Sequence, residues 1–188
     1  LVAARALPVA QPLSSGNCPS GLSIDLSRNS LGPEGVRALA EALSSGNCPS
    51  GLTINLSWNG LVTEGARALA ATLSSGKCPS GLSINLSGNG FGPIGGLALS
   101  EALVSGNCPT GLALDLTHNY LGTQGGFALA NALRSGLCPP DLSLDIGSNS
   151  LDSEAARNVA AAIGSERSPY PLKISPELTC YDDIVIRH

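Results

Sequence analysis

Methionine is absent from this 188-residue chain, and aromatic residues make up only 3% of it. A core filled without methionine and with few rings must be aliphatic and closely packed, and 23 glycines beside abundant alanine and leucine suit that packing. Lysine is nearly missing too: Lys77 and Lys173 are the only two, and the net charge is -4. Such a chain has no electrostatic footprint for phosphate backbones or anionic lipid, so neither nucleic acid nor a membrane surface is an expected partner. No run reaches the ~20 apolar residues that span a bilayer. The N-terminal LVAARALPVA is too short, and too broken by Pro8, to read as a signal peptide. Disorder is excluded as well, with 43% hydrophobic residues against 13% charged.

What the chain does have is a period. Cysteine falls at Cys18, Cys48, Cys78, Cys108 and Cys138, asparagine at Asn29, Asn59, Asn89, Asn119 and Asn149, and leucine at Leu22, Leu52, Leu82, Leu112 and Leu142, each series in steps of 30. A period of 20 to 50 residues denotes a solenoid, propeller or array. Within one unit, LSIDL alternates, with Leu22, Ile24 and Leu26 on one face and Ser23 and Asp25 on the other, which predicts a short strand. Turn residues follow in SRNSLGPEG. The spacing then becomes helical in EGVRALAEALSSG, with Leu31, Gly35, Leu39 and Leu43 recurring every fourth residue. Pro33 and Pro93 suit a first helical turn, Glu34, Glu64 and Glu154 complement its positive end, and Gly46 and its equivalents stop it.

LSIDLSRNSLGPEGVRALAEAL resembles the leucine-rich repeats of the ribonuclease-inhibitor type, also found in NOD-like receptors and bacterial effectors, and the likeness covers nearly the whole chain. The family pattern L-x-x-L-x-L-x-x-N-x-L matches at Ile24, Leu26, Asn29 and Leu31, but its first leucine would fall on Gly21, with Leu22 one place later. The near-identical units around SGNCPSGLSIDLS are more similar to effectors of intracellular pathogens such as those of Legionella. The resemblance implies an α/β leucine-rich-repeat solenoid, a horseshoe arc with parallel strands on the concave face and helices on the convex face. Mechanics agree: strands stack ~4.8 Å apart and helices need ~8–10 Å, so the stack bends with its strands inside.

Three regions follow from the register. Residues 1–14 align with a degraded N-terminal repeat helix interrupted by Pro8 and Pro12; residues 15–164 hold five 30-residue units; residues 165–188 hold a sixth strand, in SPYPLKIS, and a C-terminal cap that includes DIVIR. Starting at Leu1, in mid-repeat and without Met, the chain is expected to be part of a larger protein.

Few residues invite chemistry. The cysteine column has no C-x-x-C and reads as a buried ladder of reduced thiols, favouring a cytosolic setting in the producing cell or, for an effector, inside a host cell. A parallel row does not converge on a tetrahedron, so no metal is expected. The asparagine column reads as structural, bonding backbone groups that leave the sheet. Asp25, Asn55, Asn85, Asp115 and Asp145 form the central outward column of the sheet. Its adjacent acids Asp115 and Asp145 lack a third polar group to orient a substrate, and an open sheet does not exclude water. His118 and His188 stand near no nucleophile motif, and no glycine run forms a phosphate cradle. No catalytic residue and no cofactor is therefore expected.

Variation stands out at two places after each strand. The first holds Arg28, Trp58, Gly88, His118 and Ser148; the second holds Ser30, Gly60, Gly90, Tyr120 and Ser150. Tryptophan, tyrosine and arginine are the residue types that anchor interfaces, and the only tryptophan lies here. The chain is thus expected to be a monomeric, non-enzymatic module binding a protein or peptide through Arg28, Trp58, His118 and Tyr120, beside Asp25, Asn55, Asn85, Asp115 and Asp145. Two other readings stand beside it: the substrate-selecting part of an enzyme such as a ubiquitin ligase with its catalytic domain elsewhere, and a spacer without a ligand.

Overall fold

The computed structural model describes residues 7–163 and the backbone of 173–174. Strand and helix alternate along the chain: α1 (Leu7–Ser14), β1 (Ser23–Asp25), α2 (Gly32–Leu43), β2 (Thr53–Asn55), α3 (Val62–Leu73), β3 (Ser83–Asn85), α4 (Gly92–Leu103), β4 (Ala113–Asp115), α5 (Gly122–Arg134), β5 (Ser143–Asp145), α6 (Ser153–Ile163) and β6 (Lys173–Ile174). The strands form one parallel sheet in the order β1-β2-β3-β4-β5-β6. Pairing follows the 30-residue step without a slip, for example Ile54 with Ile84 and Asn55 with Asn85. Each helix packs on the next, so the chain is an α/β solenoid with one parallel sheet.

The core is the stack of inward columns. Leu52, Ile54 and Leu56 from the strand, Leu61 from the turn and Leu69 from the helix are each 0% exposed, and later units repeat this. Full burial of such a side chain stabilises by about 1.5–3 kcal/mol. By comparison, the single ion pair among the described residues, Arg37 to Glu34 at 3.5 Å, is well exposed on both sides. It contributes little.

The observed elements differ from expectation in three places. Strands β1–β5 are three residues each, shorter than LSIDL, although Leu22 O and Leu26 N–H at their flanks still bond to the next unit. Helix α1 runs through Pro12 instead of breaking there. Proline at that position removes one helical hydrogen bond, and burial of Ala10 and Leu13 against the core offsets it. The third concerns the departure from the family pattern at Gly21. Its equivalent Gly81 has φ +69°, and a Cβ there would lie 3.4 Å from Gly51 Cα. The left-handed slot where successive turns touch favours glycine, with Asp141 of the fifth unit the one side chain in it, and the buried side chain moves one residue on, to Leu82. Beyond residue 163 only the strand of the expected sixth unit is described, paired as Ser143 to Lys173 and Leu144 to Ile174. DIVIR and the remainder of that region lie outside the described residues, as do residues 1–6.

Candidate functional site

Past the end of each strand the chain does not leave the stack. Asn59 Oδ1 accepts the N–H groups of Asn29 (2.9 Å) and Leu31 (3.1 Å) in the preceding unit. Its Nδ2 donates to the carbonyls of Leu26, Leu56 and Ser57. Asn89, Asn119 and Asn149 repeat the arrangement at 0–1% exposure. One amide thus staples two successive turns, as an outward loop around a tight core requires. Backbone bonds continue alongside, from Arg28 N–H to Ser57 O, Trp58 N–H to Ser87 O and His118 N–H to Gly147 O at 2.8–3.2 Å. The rim of the concave face is therefore a rigid shelf.

The variable residues stand on this shelf in an unusual backbone state. Arg28, Trp58 and His118 each have φ 56°, as does Tyr120 in the second column, and Gly88, Gly60 and Gly90 share the region. Glycine is the residue this geometry favours, and an L side chain in it costs ~1–2 kcal/mol. Ser30, Ser148 and Ser150 fill the remaining places, so seven of the ten positions carry a side chain where glycine is favoured, and four of those side chains are bulky or charged.

Trp58 and His118 come together although two units separate them in sequence. Their ring centroids are 6.1 Å apart with a 34° tilt, a favourable aromatic separation. Gly88 makes this possible. A Cβ at Gly88 would lie 2.4 Å from Trp58 Cδ2, so the indole lies across the place where a side chain of the intervening unit would stand. Trp58 remains 51% exposed and Tyr120 69% exposed. Sequence reading gave Gly88 no role; its signal was a small residue between two rings in one column. Gly88→Ala is expected to push the indole off the shelf, red-shifting the emission of the only tryptophan and costing about 1 kcal/mol for a left-handed alanine. Steady-state fluorescence and a urea melt check both.

The polar column beside the rim is tied to local structure. Asp25, Asn55, Asn85, Asp115 and Asp145 each use Oδ1 to accept the N–H two residues on, at 2.9–3.1 Å. The Ser27 amide, with help from its hydroxyl, holds the Asp25 carboxyl below the usual carboxylate range. These residues end the strands, and one further side-chain atom of each stays free to face a partner. Because Oδ1 is fixed by the backbone, Asn55 and Asn85 turn Nδ2 donors outward while the three aspartates offer acceptors. The nine residues singled out from the sequence therefore lie at the ends of the strands and in the turns that follow them. Arg28, in the first unit, sits at the N-terminal end of the row, with no described contact to Trp58.

The cysteine column departs from the expected full burial. Cys18, Cys48, Cys78, Cys108 and Cys138 are free thiols at intermediate exposure. Each lies beside the end of the preceding helix and donates Sγ–H to a carbonyl six residues back, as Cys78 does to Thr72 O and Cys108 to Ala102 O. The column caps helices as well as packing against the core, which is why it stops short of the interior. Desolvation, added to by neighbouring thiols, pushes Cys78 up to about 12 and Cys108 up to about 11. Alkylation at neutral pH should accordingly be about tenfold or more slower at these two than in urea. The sign for stability follows from the folded form holding its protons more tightly. The contribution is complete below about pH 9 and is lost as pH rises towards 12. A Cys78→Ala/Cys108→Ala protein should lose less stability than the parent over that interval, measured by urea titration at each pH.

Sequence reading also missed a patch on the convex face. Ile94 and Leu97 of α4 are 54% and 48% exposed at places where α2 carries Glu34 and Arg37. Among the described residues no group of three or more His, Cys, Asp or Glu could hold a metal. No described helix is long and apolar enough to cross a membrane.

Four segments, 22–40, 52–70, 82–100 and 112–130, match a family model described as Leucine Rich repeat. No curated protein matches the chain.

Proposed function

Because this chain is a leucine-rich-repeat protein, built on a scaffold that generally mediates protein–protein binding and is typically non-catalytic, we propose that its concave rim binds another protein or peptide. The observation that carries this reading is the retention of Arg28, Trp58, His118 and Tyr120 in left-handed slots that favour glycine. Ser30, Ser148, Ser150, Val62 and Asp141 occupy the same backbone state, so what distinguishes these four is their bulk, two of them being in ring contact across Gly88. Trp58, His118 and Tyr120 supply rigid contact area, and a shelf fixed before binding keeps the ordering cost low. Asp25, Asp115 and Asp145 beside the rings favour a partner with basic or amide groups, so association should slow as salt rises. A reading of the repeats as ribonuclease-inhibitor type is supported by the helix that follows each of the strands β1–β5.

The immobilised 188-residue chain tests this against the spacer reading. It should retain a partner that a Trp58→Ala/Tyr120→Ala protein releases. Retention equal in the two, or none above bare matrix, would count against a binding rim.

A further inference from the structure

One face of the tryptophan ring is closed and the other is open. A Cβ at Gly88 would meet Trp58 Cδ2 first, then Cε2 and Cε3. Cδ2 is bonded to three ring atoms and has no free edge, so whatever touches it comes at the face of the ring. The indole of the second unit therefore lies flat on the Gly88 backbone of the third and reaches towards His118 of the fourth. At a centroid separation of 6.1 Å and a tilt of 34°, His118 flanks the indole without covering it. Half of Trp58 stays exposed, so the upper face is free.

The polar column supplies the neighbours of that face. In the third and fourth units it holds Asn85 and Asp115, paired across β3 and β4. Asn85 Oδ1 accepts the N–H and hydroxyl of Ser87, and Asp115 Oδ1 accepts the same two groups of Thr117, at 2.8–3.0 Å. Asn85 Nδ2 and Asp115 Oδ2 are left without a described partner. The single ion pair among the described residues joins Arg37 to Glu34 on α2, so the charge on Asp115 is unmatched. A flat apolar face thus lies beside one anionic acceptor and one amide donor, all three held in place before anything binds.

We infer that the open face of Trp58 takes an arginine side chain of the partner, its guanidinium stacked on the indole and donating to Asp115 Oδ2, while Asn85 Nδ2 donates to a backbone carbonyl beside that arginine. This rests on the binding-rim reading and names what the rim selects. Other side chains each fail on one feature. An anion meets the carboxylates of Asp115 and its strand neighbour Asp145. An apolar or aromatic side chain would cover the ring but strip water from Asp115 without replacing it. Lysine would match the charge, but its compact, strongly hydrated ammonium has no plane to lay on a ring. A guanidinium is planar and weakly hydrated, with its donors at the edge, so one group meets ring and carboxylate together.

The experiment titrates the 188-residue chain with the peptide acetyl-Gly-Gly-Arg-Gly-Gly-amide and with its citrulline, lysine and phenylalanine counterparts. Trp58, the only tryptophan, reports by fluorescence, and the amide shifts of Gly88 and Thr117 locate the contact. The arginine peptide should saturate both signals, with a Kd about tenfold or more below that of the uncharged citrulline peptide and about threefold or more below that of the lysine peptide. Asp115→Asn should raise the arginine Kd about fivefold or more and leave the phenylalanine peptide unchanged. That variant should fold as the parent does, because an asparagine already makes this pair of bonds at Asn85. No saturable change with the arginine peptide, equal binding of the lysine or phenylalanine peptide, or an unchanged Kd in Asp115→Asn would each overturn the inference. A partner held by the parent and by Asp115→Asn but released by Trp58→Ala/Tyr120→Ala would overturn the arginine and leave the binding rim standing. Equal retention by all three would overturn both.

Discussion

Asn89→Ala, like the same change at Asn59 or Asn119, is expected to be among the most damaging single substitutions in the turns after the strands, costing about 3–5 kcal/mol. Asn89 is 1% exposed and makes five hydrogen bonds. Not all five losses matter equally. The carbonyls of Leu56 and Leu86 each keep another asparagine donor, from Asn59 and Asn119. The N–H groups of Asn59 and Leu61 accept no such substitute: Asn89 Oδ1 is their partner, at 2.9 and 3.4 Å. Leaving two buried donors unmet, at about 1–3 kcal/mol each, dominates the cost. Asn29→Ala is the comparison, because its Oδ1 accepts no described bond; it should cost under about 1 kcal/mol. Urea denaturation with an unchanged m-value measures both, and equal losses would mean that the ladder is not what staples the turns.

The second large effect should fall on binding. Trp58→Ala should weaken partner affinity by about 2 kcal/mol or more, the scale of an interface anchor. Its effect on stability should stay within about 1 kcal/mol, because lost packing over Gly88 and against His118 is opposed by removing a bulky side chain from a left-handed slot that strains it by ~1–2 kcal/mol. Trp58→Gly relieves that strain further and should bind no better than Trp58→Ala. Arg67→Ala and Leu97→Ala on the convex helices supply the contrast, and both should leave affinity within about 0.5 kcal/mol of the parent. If Leu97→Ala costs as much as Trp58→Ala, the exposed apolar patch on α4 is the interface and the rim is not.

The scaffold was legible in the sequence because each scaffold residue is repeated. Leucine at Leu22 and its equivalents, asparagine at Asn29 and its equivalents, and the strand-to-helix change of period all act within one unit or between neighbours, so a 30-residue offset displays them. The shelf was legible only in part. Trp58 and His118 share a column, but their contact depends on a third residue, Gly88, whose contribution is the absence of a side chain. Backbone sign was hidden for the same reason: Gly60 and Gly90 hint at a left-handed slot, while Trp58, His118 and Tyr120 fill equivalent slots without any residue-type signal. The cysteines misled in the opposite direction. A small, commonly buried residue in a fixed column reads as interior, yet the thiol is drawn outward to the helix-end carbonyls it caps. The convex patch went unseen because Ile94 and Leu97 replace charged residues in one unit only, and a single departure from a repeat carries no period.

Amide hydrogen exchange of the full chain, with and without a saturating captured partner, tests the binding rim most directly. Protection is expected to concentrate in 57–60, 87–90 and 117–120, the turns that carry Trp58, Gly88, His118 and Tyr120. Protection confined to Gly92–Leu103 and Gly122–Arg134, with those turns unchanged, would contradict the account and assign binding to the convex helices.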